Sequence, residues 1–195
     1  MKRQFLRFIS TAWLTLVVAN SQASDEQATS NAWQQLQDGK AIAIMRHALA
    51  PGTGDPSDFV LENCATQRNL SNEGRSQARV IGDLFRDKGI AAAQVVTSEW
   101  CRCQETARLL DLGSPETFAT LNSFFQNRRT ADRQTMQLRE AIPGWLQQGS
   151  TPTILVTHQV NISALTGSFT RSGEILIINL VDDEVVVLTS IDTLN

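Results

Sequence analysis

The sequence predicts an α/β fold, a three-layer α/β/α sandwich around a mostly parallel central sheet with an antiparallel strand at its C-terminal end. Three observations carry this. Short β-forming runs alternate with stretches of helical periodicity, the pattern of parallel strands joined by crossover helices. The chain's two histidines each close one of those runs, Ala41-Ile42-Ala43-Ile44-Met45-Arg46-His47 and Thr153-Ile154-Leu155-Val156-Thr157-His158. Two final runs, 174–180 and 184–190, meet at Asp182-Asp183 and read as a hairpin.

The elements follow in order. Lys2, Arg3 and Arg7 precede an apolar run from Phe8 to Ala19, and Ser21-Gln22-Ala23 places small residues where a signal peptidase cuts, so residues 1–23 read as an export signal. The apolar run is about a dozen residues, short of the roughly 20 that span a bilayer, so no stable membrane anchor is expected after cleavage. The remaining 24–195 is one ordinary domain. Residues 24–28 read as a frayed polar start, and Ser30 as the cap of a short helix carrying Trp33 and Leu36 to Gly39.

Strand one runs over 40–46. An irregular loop from His47 to Leu70 holds Pro51, Gly52, Gly54, Asp55 and Pro56, and loops this long are functional or disordered. Ser71 caps a helix reaching Lys88, with Ala78, Ile81, Leu84 and Phe85 at helical spacing. A strand follows at 94–98, then a loop that turns into a helix ending at Gly113. Phe118 to Leu121 reads as a weak strand. Thr130 opens a helix that Pro143-Gly144 should break or kink. The His158 strand and a short helix near 162–166 complete the alternation.

Removing the signal leaves 14 Lys and Arg against 20 Asp and Glu, a formal charge of −6. That balance argues against a nucleic-acid partner, which needs a basic face. Three cysteines in an exported chain imply one disulfide and one thiol. Cys101 and Cys103 are too close to bridge each other, so Cys64 pairs with one of them. They lack a neighbouring histidine, which disfavours a zinc site.

In open α/β sheets ligands collect outside the carboxyl ends of the strands, where both histidines lie. An imidazole attacks phosphorus well when its other nitrogen is held by a hydrogen bond. The guanidinium of Arg46 beside His47 offers a planar fork that matches phosphate oxygens. If the strand ending at Ser98 lies beside the first, Arg102 supplies a second clamp, and helix N-terminal amides add to it.

With those residues in view, the chain resembles the histidine phosphatase superfamily, which includes cofactor-dependent phosphoglycerate mutases and bacterial phosphohistidine phosphatases. Arg46-His47 matches its Arg-His signature, followed by Ala48 where many members have glycine. The stretch 69–78, NLSNEGRSQA, resembles the family's L-T-x-x-G-x-x-Q-A helix start. The stretch 98–107, SEWCRCQETA, matches S-x-x-x-R-x-x-x-T-A, Val156-Thr157-His158 matches the second histidine, and Ser172-Gly173-Glu174 the entry to a late strand. The resemblance implies a phosphoglycerate mutase-like fold and a metal-independent phosphatase without other cofactor. It implies that His47 becomes a phosphohistidine, with Arg46, Arg102 and His158 binding the phosphoryl group.

One departure matters for mechanism. The family's usual carboxylate donors have no counterpart here, where the corresponding neighbourhoods read Asn122-Ser123-Phe124 and His158-Gln159. Glu99 stands in as the candidate proton donor, with Asp55, Asp58 and Glu62 as alternatives. The expected partner is a small phosphorylated substrate, an envelope sugar phosphate among them, and the compartment is the periplasm or the exterior. The substrate-facing segments are 48–67 and 123–133, whose Arg128, Arg129 and Arg133 offer to meet a second anionic group. Alternatives of other kinds are a phosphohistidine phosphatase, a phosphomutase, and a non-catalytic phosphoryl-binding envelope domain.

Overall fold

The computed structural model describes residues 12–193, with side chains from residue 24 onward. Of the expected signal segment, residues 1–11 lie outside the described residues, and the rest begins helix α1 (Ala12–Gln37). The other elements are β1 (Ile42–Arg46), α2 (Asn72–Asp87), β2 (Gln94–Thr97), α3 (Cys101–Leu110), β3 (Glu116–Thr117), α4 (Ala131–Leu146), β4 (Thr153–Thr157), α5 (Gln159–Thr166), β5 (Ile175–Val181) and β6 (Glu184–Ile191). They form one sheet in the order β3-β2-β4-β1-β5-β6. The first four strands of that order are parallel, and β5 and β6 run antiparallel, the arrangement the sequence predicts.

Alternation along the central strands builds two cores, because successive side chains point to opposite faces. Ala43, Met45, Ile154, Val156, Ile175 and Ile177 pack with Trp33, Leu36, Ile81, Phe85 and Leu110 of α1, α2 and α3. Ile42, Ile44, Leu155, Leu176 and Ile178 pack with Leu138, Ile142, Ile162 and Leu165 of α4 and α5. The sheet is thus covered on both faces, which is why β1 and β4 are buried nearly end to end and read as unbroken apolar runs.

Several local expectations are corrected. Ser30 caps nothing, because residues 24–37 continue α1 and Ser30 lies inside it. The weak strand at 118–121 is displaced: β3 is Glu116–Thr117, and Ala119–Leu121 forms a 3₁₀ turn. Helix α4 runs through Pro143 to Leu146, since the proline stands in the last turn and removes only one bond. The strand ending at Ser98 does not adjoin the first, because β4 lies between them. Ser71 does cap α2, its hydroxyl accepting from the Gly74 amide, and Asp182 and Asp183 turn the hairpin with φ of 51° and 62°. Among the described residues no helix is long and apolar enough to cross a membrane.

Close backbone approach fixes α2 against the loop after β1. A Cβ on Gly74 would lie 2.0 Å from the Leu49 carbonyl oxygen, which also accepts the Ser71 amide. Gly144 in α4 has nothing within 4 Å of that position. Gly74→Ala should therefore cost about 1–3 kcal/mol by overpacking, while Gly144→Ala should stabilise by roughly 0.5–1 kcal/mol. Thermal melts of the two variants check this, and a stabilised Gly74→Ala protein would contradict the packing.

Candidate active site

The site forms because two neighbouring parallel strands end at the same level. Register places Arg46 opposite Thr157, so His47 and His158 emerge side by side, and the His47 amide donates to the Thr157 carbonyl over 2.9 Å. The two rings lie 5.5 Å apart between centroids. From β1 the chain leaves along the face covered by α2 and α3, and from β4 along the face covered by α5. This divergence opens a crevice at the carboxyl edge.

A cavity of about 260 Å³ fills that crevice, lined at its floor by Arg46, His47, Asp55, Arg68, Arg102 and His158. The structure therefore brings together all four residues that the sequence singles out. Arg102 reaches the cavity although its strand is one place removed, because it stands in the first turn of α3, whose start projects toward the histidines.

Arg102 is the hub. Its Nε donates to His47 Nε2 at 3.2 Å, and its Nη2 lies 3.4 Å from His158 Nδ1. Its Nη1–Nη2 edge is gripped by Asp55 at 2.8 and 3.1 Å. A guanidinium only donates, so the one edge faces two imidazole lone pairs while the other holds a carboxylate. Asp55 also accepts from the Arg68 amide at 3.0 Å and from Trp100 Nε1 at 3.0 Å. Burial pushes its carboxyl up, but the Arg102 hydrogen bonds and charge outweigh this and hold it below its ordinary value.

The histidines sit in an environment that keeps them neutral. His47 Nδ1–H donates to the Ala48 carbonyl at 2.8 Å, which leaves the Nε2 lone pair toward the cavity. Burial first, and then the charge of Arg102, push both His47 and His158 well below the usual imidazole value. Arg46 gives Nη1 to the Thr170 carbonyl at 3.1 Å, and its buried Nε has no hydrogen-bond partner among the described residues.

Sequence reasoning missed Arg68. Its guanidinium donates to the Gly54 and Ala50 carbonyls, stitching the long loop into a wall, and burial beside Arg102 pulls it down to about 10. The one available signal was its place in a loop already marked as functional. The structure also decides the cysteines: Cys64 bonds to Cys101, with Cα atoms 5.6 Å apart, and Cys103 is a buried thiol. That bridge ties the loop to the residue before Arg102, and a closed segment of this size contributes about 4 kcal/mol in the chain-entropy model.

The donor candidates fare differently. Glu99 does not line the cavity, and its Oε2 accepts from Asn122 Nδ2 at 2.5 Å. Asp58 and Glu62 are exposed on the loop. Nor do Arg128, Arg129 and Arg133 line the cavity; Arg128 instead lies 5.8 Å over the Phe125 ring. The rim is drawn from 52–54 and 123–126, as the sequence predicts, together with Gln159, Val160 and Phe169. Among the described residues no three side chains are grouped so as to hold a metal ion.

Fold and site define a doubly wound α/β protein with two histidines and three arginines around one cavity. The family model of the histidine phosphatase superfamily (branch 1) matches residues 42–146, and the chain belongs to that superfamily. No curated protein matches it. Among solved structures it is similar to a phosphoserine phosphatase variant from Entamoeba histolytica in complex with phosphoserine, with 9% identity over 79% of this chain and 98% of that one, TM-score 0.56. It is also similar to the protein histidine phosphatase SixA complexed with tungstate, with 16% identity over 78% and 97%, TM-score 0.53. A third is the mycobacterial glucosyl-3-phosphoglycerate phosphatase with inorganic phosphate, with 16% identity over 72% and 89%, TM-score 0.51. At these identities the likeness establishes the fold. Superfamily membership supports a phosphatase hydrolase.

Removing Asp55 leaves Arg102 buried beside Arg46 and Arg68 without its counter-charge. Asp55→Ala should cost about 3–5 kcal/mol at neutral pH. Because the folded carboxyl is held low, this stabilisation is fully present above the unfolded value of about 3.9 and is lost as pH falls through the folded one. Urea melts at pH 7 and pH 3 check the sign: the gap between wild type and variant should shrink in acid.

Proposed function

We propose that this protein is a phosphatase that moves a phosphoryl group first to His47 and then to water. The observation that carries the reading is the His47 ring, buried and neutral, with Nδ1–H held by the Ala48 carbonyl and Nε2 aimed into an arginine-lined cavity. In the first step the Nε2 lone pair forms a P–N bond while the P–O bond to the leaving group breaks, and the leaving oxygen keeps the electron pair and takes a proton. In the second step water forms a new P–O bond, the P–N bond returns its pair to Nε2, and inorganic phosphate departs.

Charge in this reaction spreads over the equatorial phosphoryl oxygens, and preorganised donors aimed at them are worth most. The Nε–Nη2 edge of Arg102, which faces both histidines, supplies such donors. Asp55 holds Arg102 by its other edge, so the fork can grip phosphate without releasing the carboxylate. The N-termini of α3 and α5 open beside the same crevice and favour an anion there.

For the substrate we read a small phosphate ester with an uncharged leaving group. Apart from the floor, the described residues of the lining carry no ionised side chain, and Phe125 and Phe169 stand exposed at the mouth. The carboxamide nitrogens of Gln126 and Gln159 are committed to the Asp55 carbonyl and Ser163 Oγ, which leaves their oxygens to accept from hydroxyls. A sugar phosphate of the cell envelope fits that rim and the export reading. The basic start, apolar run and small residues of 1–23, together with the Cys64–Cys101 bridge, support export to an oxidising compartment.

Two experiments test these readings. Wild-type protein should hydrolyse p-nitrophenyl phosphate in the presence of EDTA, and His47→Ala should lower turnover at least about 10³-fold, in line with loss of a covalent nucleophile; persistent hydrolysis by the variant would sink the mechanism. N-terminal sequencing of protein recovered from the envelope fraction should begin at Ser24, and a retained Met1 would overturn the export reading.

A further inference from the structure

We infer that His158 is the proton carrier of this reaction: its Nδ1 takes the proton of a phosphate-ester monoanion and delivers it to the leaving oxygen. The inference rests on the proposed covalent route through His47, and it fills a role for which the cavity offers no carboxylic acid. Among the described residues Asp55 is the one acidic side chain lining the cavity, and four donors already occupy its two oxygens.

The hydrogen-bond chain behind His158 fixes where its proton sits. The Glu99 backbone N–H can only donate, so the Asn122 atom it meets at 2.8 Å is Oδ1, and Asn122 Nδ2 then faces the Glu99 carboxylate. Ser98 Oγ lies 3.1 Å from that same Oδ1 and must donate to it. With its hydrogen spent, and the Trp100 amide donating to it at 3.2 Å, Ser98 Oγ can only accept from His158 Nε2 at 2.9 Å. Nε2 therefore carries the hydrogen and Nδ1 is bare. Arg102 gives the same answer from the other side, since Nη2 can only donate toward Nδ1.

A bare Nδ1 facing the cavity can take a proton but has none of its own to give. The charged and titratable groups around the ring agree. Arg102 on α3, Arg46 and His47 at the end of β1, and Arg68 on the loop all disfavour an imidazolium in the free enzyme. Cys103 on α3, 3.4 Å from Nε2, is a neutral thiol pushed up to about 12 by burial. The proton must arrive with the substrate. A monoester monoanion carries one on a non-bridging oxygen. Transfer to Nδ1 leaves a dianionic phosphoryl group beside an imidazolium, and the three arginines then face the anion they lacked.

The balance closes. As the P–O bond breaks, the proton passes from Nδ1 to the leaving oxygen and His158 is neutral again. In the second step Nδ1 takes a proton from the attacking water and returns it to the departing phosphate. Glu99, Asn122 and Ser98 act as positioning residues that hold the ring in the tautomer this requires.

The test is a series of aryl phosphates running from 2,4-dinitrophenyl phosphate, whose leaving group needs no proton, to phenyl phosphate, whose leaving group does. His158→Gln should lower kcat/KM for phenyl phosphate by about 10²-fold or more, the usual range for general acid help, and for 2,4-dinitrophenyl phosphate by less than about tenfold. An equal loss on both esters would overturn the inference and leave His158 as a binding group. Wild-type enzyme gives a second reading that needs no variant. Its kcat/KM for phenyl phosphate should fall about tenfold per pH unit above the second ionisation of the ester, near 6, and a plateau to pH 8.5 would overturn the inference. Acid-labile phosphate trapped on His47 separates the two layers: trapped phosphate with equal losses refutes only the proton role, whereas its absence during turnover refutes the covalent route.

Discussion

One guanidinium organises this protein's working edge. Arg102 donates to His47, faces His158 and is clamped by Asp55, so four side chains from three separate segments are held in one network. The other features of the site follow from keeping that side chain in place. The parallel register of β1 and β4 sets the histidines on either side of it, and the first turn of α3 supplies it. The Arg68 amide and the Trp100 ring hold Asp55 against it, and Thr106 one turn further along α3 accepts the Ala48 amide at 3.1 Å. Replacing any of these partners leaves a buried charge or lone pair uncompensated, where the cost of an unmatched group is greatest.

In the proposed covalent route the same network serves groups with opposite needs. In the proposed route through His47 the attacking imidazole must be unprotonated, and burial, then the charges of Arg102, Arg46 and Arg68, push it toward that form. The cations themselves are tolerable in that position because each has neutral or anionic acceptors: carbonyls for Arg46 and Arg68, a carboxylate for Arg102. In the proposed route the phosphoryl group becomes dianionic as it gives its proton to His158, and that charge reverses the local field, so the pocket that excludes a proton when empty holds one when filled.

How much of this was legible in the sequence depends on the range of the interaction involved. Long apolar strands ending in histidine, the Ser71 cap and the Asp-Asp hairpin are local or periodic signals, and all stand in the structure. The same holds for Arg46, His47 and His158, whose placement follows from strand ends, whereas Arg102 reaches the cavity from the first turn of α3. What was misread turned on tertiary context. A two-residue edge strand at 116–117 carries too little pattern to be distinguished from the 3₁₀ turn beside it. The start of α1 was masked by a polar stretch that reads as frayed, and Pro143 is tolerated because so little helix follows it. The insertion of β4 between β1 and β2 is a topological fact with no local trace. Arg68 and the clamping role of Asp55 depend on how a 24-residue loop folds back, and Glu99 was placed near the chemistry by sequence distance when its carboxylate in fact faces Asn122.

The choice of partner for Cys64 also fixes the rotational setting of a helix. Cys101 and Cys103 are two residues apart, which on an α-helix is roughly 200° of rotation. With Cys101 bridged, Cys103 turns inward to His158 and Arg102 enters the cavity. Bridging Cys103 instead would require the opening turn of α3 to roll by more than half a revolution and carry Arg102 out of reach of both histidines. The Cys64–Cys101 bridge is thus the pairing compatible with Arg102 between the two histidines. Once the correct isomer is made, the leftover thiol is sealed and almost wholly protonated, so it is a poor attacker of the bond beside it. The covalent link serves as an alignment mark for the helix, joining the exposed Cys64 of the loop to the buried Cys101 at the start of α3.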